Sequence, residues 1–228
     1  MKDKVVMITG ANGGLGVSVT QAFLNLGVTV VGVSRKIDTQ AFSNPRFVAL
    51  AADIASTAGA EGAVASVLNR FGRIDVLAHT VGGFAGGESV ADTSDETLHH
   101  MFSVNYESAF FLFRAAIPAL RKTQGRLIAI ASRAAVDPGP GVGAYSASKA
   151  ALVSLVRTIA AENKDAGMTA NVLLPGTMDT LANRESMPDA DFSKWVRTES
   201  VASLVAWLAD DGGKDVSGAV LPVYGREK

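Results

Sequence analysis

Apolar residues in this chain alternate between short unbroken runs and longer stretches in which they recur every third or fourth position. Val5-Val6-Met7-Ile8 is one such run, and the β-branched stretch from Val28 to Val33 is a second. Runs of that length and type predict strands buried on both faces, as in a parallel sheet. Between them, Leu15, Val19, Ala22, Phe23 and Leu26 mark one face of a helix, and Gly27 is placed to end it. The alternation continues with strands over 46–52, 74–78, 126–131, 168–174 and 219–224. The intervening segments read as helices over 56–70, from Thr93 to about Lys122, from about Ala144 to Lys164, and around Val201, Leu204, Val205 and Leu208. Thr93 with Glu96 forms a capping box for the long central helix, which is expected to bend near Asn105. Pro222 lacks a donor, so the last strand belongs at a sheet edge. The stretch from Pro188 to Trp195 is polar and irregular. Strand and helix in strict succession specify an α/β fold, a doubly wound parallel sheet with helices on both faces and right-handed crossovers. There is no repeat, linker or low-complexity segment, so 1–228 reads as one domain.

Composition narrows the class of partner. The chain has 228 residues, 48% of them hydrophobic, enough for a sizeable core without staples. Lys and Arg number 21 against 22 Asp and Glu, a net charge of −1, so there is no electrostatic case for nucleic acid or a membrane surface. No cysteine is present, which excludes disulfide and thiolate chemistry and fits a reducing cytoplasm. Met1-Lys2-Asp3-Lys4 runs straight into the first strand and leaves no room for a leader, and no apolar run nears the ~18 residues of a membrane span. His99 and His100 are adjacent and would diverge on a helix, so with His79 elsewhere they offer no metal-ligand spacing.

The first chemical signal is Thr9-Gly10-Ala11-Asn12-Gly13-Gly14-Leu15-Gly16, between the first strand and the first helix. Glycines there let backbone approach a ligand, and the helix start offers free N–H groups and a positive dipole end to a pyrophosphate. At the end of the second strand, an acidic residue would bind a ribose 2′-hydroxyl and favour NAD. This chain has Ser34 followed by Arg35 and Lys36, cations suited to a 2′-phosphate, so NADP is the expected cofactor and NAD the less favoured one. Asp38, close by, could still reach a ribose, and Arg35-Lys36 would equally serve as solvated loop charges. Asp53-Ile54 closes the third strand; the Asp53 carboxylate can accept from an adenine amine or cap the next helix. After the fourth strand, His79-Thr80-Val81-Gly82-Gly83 occupies the end where α/β folds bind ligands. His79 reads either as a base or as a hydrogen-bonded histidine at a strand end.

The second signal is Tyr145 and Lys149, four apart on one helix face. A nearby ammonium stabilises a phenolate, which lets the phenol exchange a proton near neutral pH, as carbonyl reduction requires. Ser132 ends the fifth strand, where its hydroxyl could hold a carbonyl oxygen beside that phenol. Phe-rich apolar content around Met101, Phe102 and Phe110 to Phe113 exceeds one sheet-facing stripe. It suits either a subunit interface or a helix buried on two sides within one chain.

Taken together, the chain resembles the short-chain dehydrogenase/reductase family over its whole length. The family's T-G-x-x-x-G-x-G matches Thr9, Gly10, Gly14 and Gly16. Its Y-x-x-x-K matches Tyr145 and Lys149, and its serine matches Ser132. Its central-helix asparagine matches Asn105, its adenine-side aspartate Asp53, and its P-G motif with threonine Pro175, Gly176 and Thr180. The resemblance implies a Rossmann-type sheet in the order 3-2-1-4-5-6-7. It implies Tyr145 as general acid/base, Ser132 polarising the carbonyl, Lys149 on the nicotinamide ribose and Asn105 holding a relay water. Met178 would join the cofactor contacts, with Asn12, Gly13, Leu15, Ser34, Ile54, Thr80, Val81 and Gly82. It further implies a small-molecule substrate and a homodimer or homotetramer. One departure is His79-Thr80-Val81-Gly82 where the family usually has Asn-Asn-Ala-Gly. The C-terminal segments around Asp179-Thr180, Asn183-Arg184 and Phe192 with Trp195 resemble the quinonoid dihydropteridine reductases and imply a substrate lid over 177–198. By position Arg133, Asp137, Phe84, Met178, Arg184 and Trp195 border the substrate, although Phe192 and Trp195 would equally anchor a loop in the core. The competing readings are a dihydropteridine reductase-like activity and a non-catalytic nucleotide sensor on the same scaffold.

Overall fold

The computed structural model describes residues 1, 3–40 and 42–226; Lys2, from the polar lead-in to the first strand, lies outside the described residues. Seven parallel strands form one sheet. In chain order they are β1 (Val5–Thr9), β2 (Thr29–Ser34), β3 (Phe47–Ala51), β4 (Val76–His79), β5 (Arg126–Ile130), β6 (Thr169–Pro175) and, last, β9 (Val220–Val223). They lie side by side as β3-β2-β1-β4-β5-β6-β9. This is the expected order; the seventh strand becomes β9 because a separate two-stranded ribbon, β7 (Met178–Asp179) with β8 (Val196–Arg197), intervenes in the chain. Each ribbon strand is two residues long, too short to leave a period in the sequence. Pro222 does sit on the edge strand.

The period-two pleat sorts side chains to two cores. Val5, Met7, Val31, Leu77 and Leu127 meet helices α2 (Thr57–Phe71), α4 (Ser108–Lys122) and α5 (Gly143–Glu162) on one face. Val6, Ile8, Val30, Val76 and Ile128 meet α1 (Gly14–Asn25) and α7 (Thr198–Ala209) on the other. Every residue of β1 and β6 is buried, which is why Val5 to Ile8 reads as an unbroken apolar run; in β6 the buried Asn171 is paired with the Val216 carbonyl and the Ala219 amide.

Several local expectations shift. The central helix starts at α3 (Asp95–Phe102), and its cap is Ser94, whose hydroxyl accepts from the Thr97 amide at 3.1 Å. The Thr93 hydroxyl instead donates to the Ser89 carbonyl, so it belongs to the preceding turn and the Thr93–Glu96 capping box does not form. Ser56, not Asp53, caps α2; the Asp53 carboxylate accepts from the Ala55 amide in a local turn. The bend expected near Asn105 is a π-helical turn, Ser103–Glu107, joining α3 to α4. α4 also carries Pro118 in its interior.

Candidate active site

The glycine turn is built by close approach. A Cβ on Gly16 would stand 1.9 Å from the Gly10 carbonyl oxygen, so the first turn of α1 can fold onto the strand end only if that position has no side chain. Gly10 has φ +74°, which favours glycine, and carries the turn back under Thr80. Among the described residues no side chain caps α1, whose Ncap is Gly13. The N–H groups of its first turn therefore stay available, with the positive end of the helix dipole behind them.

That helix end opens on a cleft of about 780 Å³. Of the expected cofactor contacts, Gly10, Asn12, Gly13, Ser34, Arg35, Lys36, Asp53, Ile54, Thr80, Val81 and Gly82 line it. The Asn12 amide donates to the Lys36 carbonyl at 2.5 Å and ties the glycine turn to the end of β2. Thr9, Leu15 and Gly16 are buried beneath this floor and shape it from inside. Gly14 lies under Thr180: a Cβ there would be 2.9 Å from the threonine methyl. Thr180 caps α6 (Leu181–Ser186) by accepting from the Asn183 amide. Pro175 ends β6, Gly176 donates to the Val223 carbonyl, and Met178 starts the ribbon. His100, Ser103, Val104 and Ser108 also line the cleft. Sequence reasoning missed them because helical periodicity assigns a face only where the helix is regular, and these straddle the π-turn.

His79 and Thr80 replace the family's asparagines with different bonds. The fully buried His79 pairs its Nδ1 with the Thr9 hydroxyl at 2.8 Å, and the Thr80 hydroxyl donates to the Thr9 carbonyl at 2.7 Å. Both stitch β4 to β1 at the floor of the cleft. Burial, with a smaller push from the Lys149 charge, drives the imidazole down to about 3. His79 is thus neutral and packed edge-on to Phe113, and it acts as the hydrogen-bonded strand-end histidine rather than a base. Among the described residues its Nε2 has no hydrogen-bond partner.

Ser132 and Tyr145 come together at the end of β5 and the start of α5, with the serine hydroxyl acting on the phenol. The Ser132 hydroxyl also accepts from the Ala134 amide, which fixes its rotamer. Burial pushes the Tyr145 phenol up, and Ser132 pulls it partly back, so the phenol holds its proton at neutral pH. The expected lowering of the phenol by Lys149 is not what shapes it here. The Lys149 ammonium donates to the Ile130 carbonyl at 3.1 Å, and burial lowers it to about 8. Asn105 sits in the π-turn with its side chain bonded to both backbone groups of Gly83 and donating to the Ser148 hydroxyl at 3.0 Å. Gly82 leaves room for this arrangement: a Cβ there would lie 2.8 Å from Lys149 Nζ and 3.1 Å from Asn105 Oδ1. Lys149 and Asn105 thus meet behind Gly82, which lines the cleft, while Ser132 and Tyr145 meet each other; none of the four lines the cleft itself, and π-turns recur at such places.

The expected substrate border divides. Phe84 is 67% exposed and stands edge-on to Tyr145, ring centroids 5.0 Å apart. Arg133 pairs with Asp137 and Arg184 with Asp179. Trp195 is buried and stacks near Phe192 at 4.7 Å, so it anchors its loop in the core rather than bordering substrate.

The model of the short chain dehydrogenase family matches residues 4–191. The chain belongs to that family. A Bacillus subtilis protein named an uncharacterized oxidoreductase, YvrD, is 31% identical across 99% of this chain and 96% of its own length. The meso-2,3-butanediol dehydrogenase of Serratia marcescens is 30% identical over 98% of this chain and 94% of its own. A blue fluorescent protein from a metagenomic library, solved in complex with NADPH, superposes with a TM-score of 0.86 at 28% identity, covering 97% and 96% of the two chains. As a short-chain dehydrogenase, the chain is an NAD(P)-dependent oxidoreductase acting on CH–OH and C=O groups. Among the described residues no helix is long and apolar enough to cross a membrane, and no cluster of side chains could hold a metal ion.

Proposed function

We propose that this short-chain dehydrogenase interconverts a carbonyl and an alcohol with NADP(H), using Tyr145 as the proton donor and acceptor. The observation that carries this is a Ser132 hydroxyl close enough to act on the Tyr145 phenol, on the same sheet edge as a cleft floored by an uncapped helix end. The donor set fits a dinucleotide. The first-turn amides of α1 would hold a pyrophosphate, and Asp53 with Ile54 would flank the adenine. Arg35 and Lys36 are exposed on the cleft, and among the described residues neither side chain has an ion-pair partner. With Ser34 where an acidic side chain would select NAD, they favour a 2′-phosphate. The NADPH-bound relative supports the same preference.

The bound cofactor would supply or accept the hydride. The chain's residues do the rest. The Ser132 hydroxyl, held by the Ala134 amide, orients the carbonyl oxygen next to the Tyr145 hydroxyl. Tyr145, kept protonated by burial, gives its proton to the oxygen that gains charge. Lys149, buried but still cationic at pH 7, would hold the nicotinamide ribose hydroxyls. Asn105, fixed between Gly83 and Ser148, would position the water that returns the proton. The segment 177–198, hinged on the β7–β8 ribbon, would cover the substrate.

Tyr145→Phe should abolish turnover while NADPH still binds; full activity in that variant overturns the mechanism. The Michaelis constant for NADPH should lie well below that for NADH, and Arg35→Ala should narrow the gap about tenfold by removing a charge-assisted contact. Equal constants in the wild type overturn the NADP preference.

A further inference from the structure

The segment after β4 reads Gly82-Gly83-Phe84-Ala85-Gly86-Gly87, a strip bearing one large side chain. Phe84 is not a loose surface ring. Its edge contact with Tyr145 sets one side of it. Its tip lies over Gly86, where a Cβ would stand 3.0 Å from the ring. The strip itself is pinned to the loop before α5, because the Gly87 amide donates to the Gly141 carbonyl at 2.8 Å. The ring is therefore held in place and still 67% exposed. Because its neighbours along the strip are glycine and alanine, no side chain of the strip fills the space beside it.

The charged side chains on the loops that follow β5 and β6 at the same edge of the sheet are already paired. Arg133 gives both Nε and Nη2 to Asp137 and lies over the Tyr224 ring. Arg184 forks onto both oxygens of Asp179 at 2.5 and 2.8 Å and lies over Phe192. Lys194 pairs with Asp191. An anionic group on a substrate would have to displace a carboxylate from its arginine to find a partner. Exposed apolar side chains collect on the same strand ends: Val136 follows Ser132, and Leu181 and Met187 bound α6.

From this we infer that the site selects uncharged carbonyl compounds whose carbonyl carbon bears a flat, unsaturated ring, with Phe84 as the surface against which that ring packs. The inference rests on the carbonyl chemistry proposed above. A planar group beside Phe84 places its attached carbonyl next to the Ser132–Tyr145 pair, since the Phe84 ring already touches Tyr145. Offset or edge-on ring pairing favours it over a puckered ring of equal size.

The test compares acetophenone, acetylcyclohexane and 4-acetylbenzoate with NADPH, in the wild type, Phe84→Ala and Phe84→Tyr. The expected result is a kcat/KM about tenfold higher for acetophenone than for acetylcyclohexane. That ratio should collapse toward one in Phe84→Ala and persist in Phe84→Tyr, and 4-acetylbenzoate should be the poorest of the three. Equal rates for the first two ketones, a ratio unchanged in Phe84→Ala, or a preference for 4-acetylbenzoate would overturn the inference. Ligand-observed NMR of acetophenone with the NADPH-loaded protein reads the same contact without turnover. If no ketone is reduced yet its ring signal is saturated in the wild type and not in Phe84→Ala, the carbonyl chemistry fails and the Phe84 surface stands. If the saturation is equal in both, the surface fails.

Discussion

Lys149 sits where the fold does not want a charge. Burial lowers it from 10.5 to about 8, and the Ile130 carbonyl at 3.1 Å is its hydrogen-bond acceptor. The gap between those values corresponds to roughly 3 kcal/mol by which the charged form disfavours the folded state. Lys149→Met removes that penalty but leaves the Ile130 carbonyl without its donor, a loss of ~1–2 kcal/mol. The net expectation at pH 7 is a variant about 1–2 kcal/mol more stable without cofactor, or ~3–6 °C in midpoint for a chain this long, and inactive. The pH dependence gives the sharper signature. Below about 8 the lysine is charged in both folded and unfolded chains, and the folded state bears the whole penalty. Between about 8 and 10.5 the folded form is neutral while the unfolded chain keeps its proton, so wild-type stability rises with pH through that window. The advantage of Lys149→Met should therefore shrink above pH 8 and reverse between about pH 9 and 10, leaving mainly the lost hydrogen bond by about pH 10.5. Urea unfolding at fixed protein concentration from pH 7 to 10.5 measures it. A variant less stable at pH 7, or a difference that does not change with pH, refutes the reasoning.

Two further outcomes follow from the same physics. Because His79 is held near 3 in the folded state against about 6.5 when exposed, wild-type stability is complete above pH 6.5 and falls as pH drops toward 3, by ~1.4 kcal/mol per pH unit. His79→Asn should flatten that slope between pH 6.5 and 4.5 in urea titrations, and an identical slope would exclude His79 as its source. The half-buried aromatic file Phe102, Tyr106, Phe110 and Phe111, flanked by Arg114 over two of the rings, is a face suited to a second copy of the chain. Phe110→Glu should lower the mass seen in sedimentation from dimer or tetramer toward monomer, whereas a monomeric wild type removes the proposal.

How far the sequence speaks for the structure depends on how a residue earns its position. Val5 to Ile8 and Val28 to Val33 are buried on both faces, so their composition reveals them. Tyr145 and Lys149 are legible because a helix converts a spacing of four into a shared face. Ser132 is legible only through the family's motif, since a serine at a strand end is common. The two-residue strands β7 and β8 have no period to read. Thr93 and Ser94 offer the same capping chemistry one residue apart, and the choice falls to whichever hydroxyl is free; Thr93 is engaged with Ser89. Where Lys149 points was not legible at all. That depends on the Ile130 carbonyl and on the gap left by Gly82, both far away in sequence.

The π-turn at Ser103–Glu107 has a consequence for how the chain can change. Relative to a continuous α-helix it inserts one residue, and so rotates everything after it by about 100°. Deleting one residue within it would restore an unbroken, locally better-bonded helix, yet would swing Asn105 out of register with Gly83 and Ser148. The pocket edge is thus guarded by a phase offset, and a single-codon deletion that improves the helix would cost Asn105 its bonds to Gly83 and Ser148.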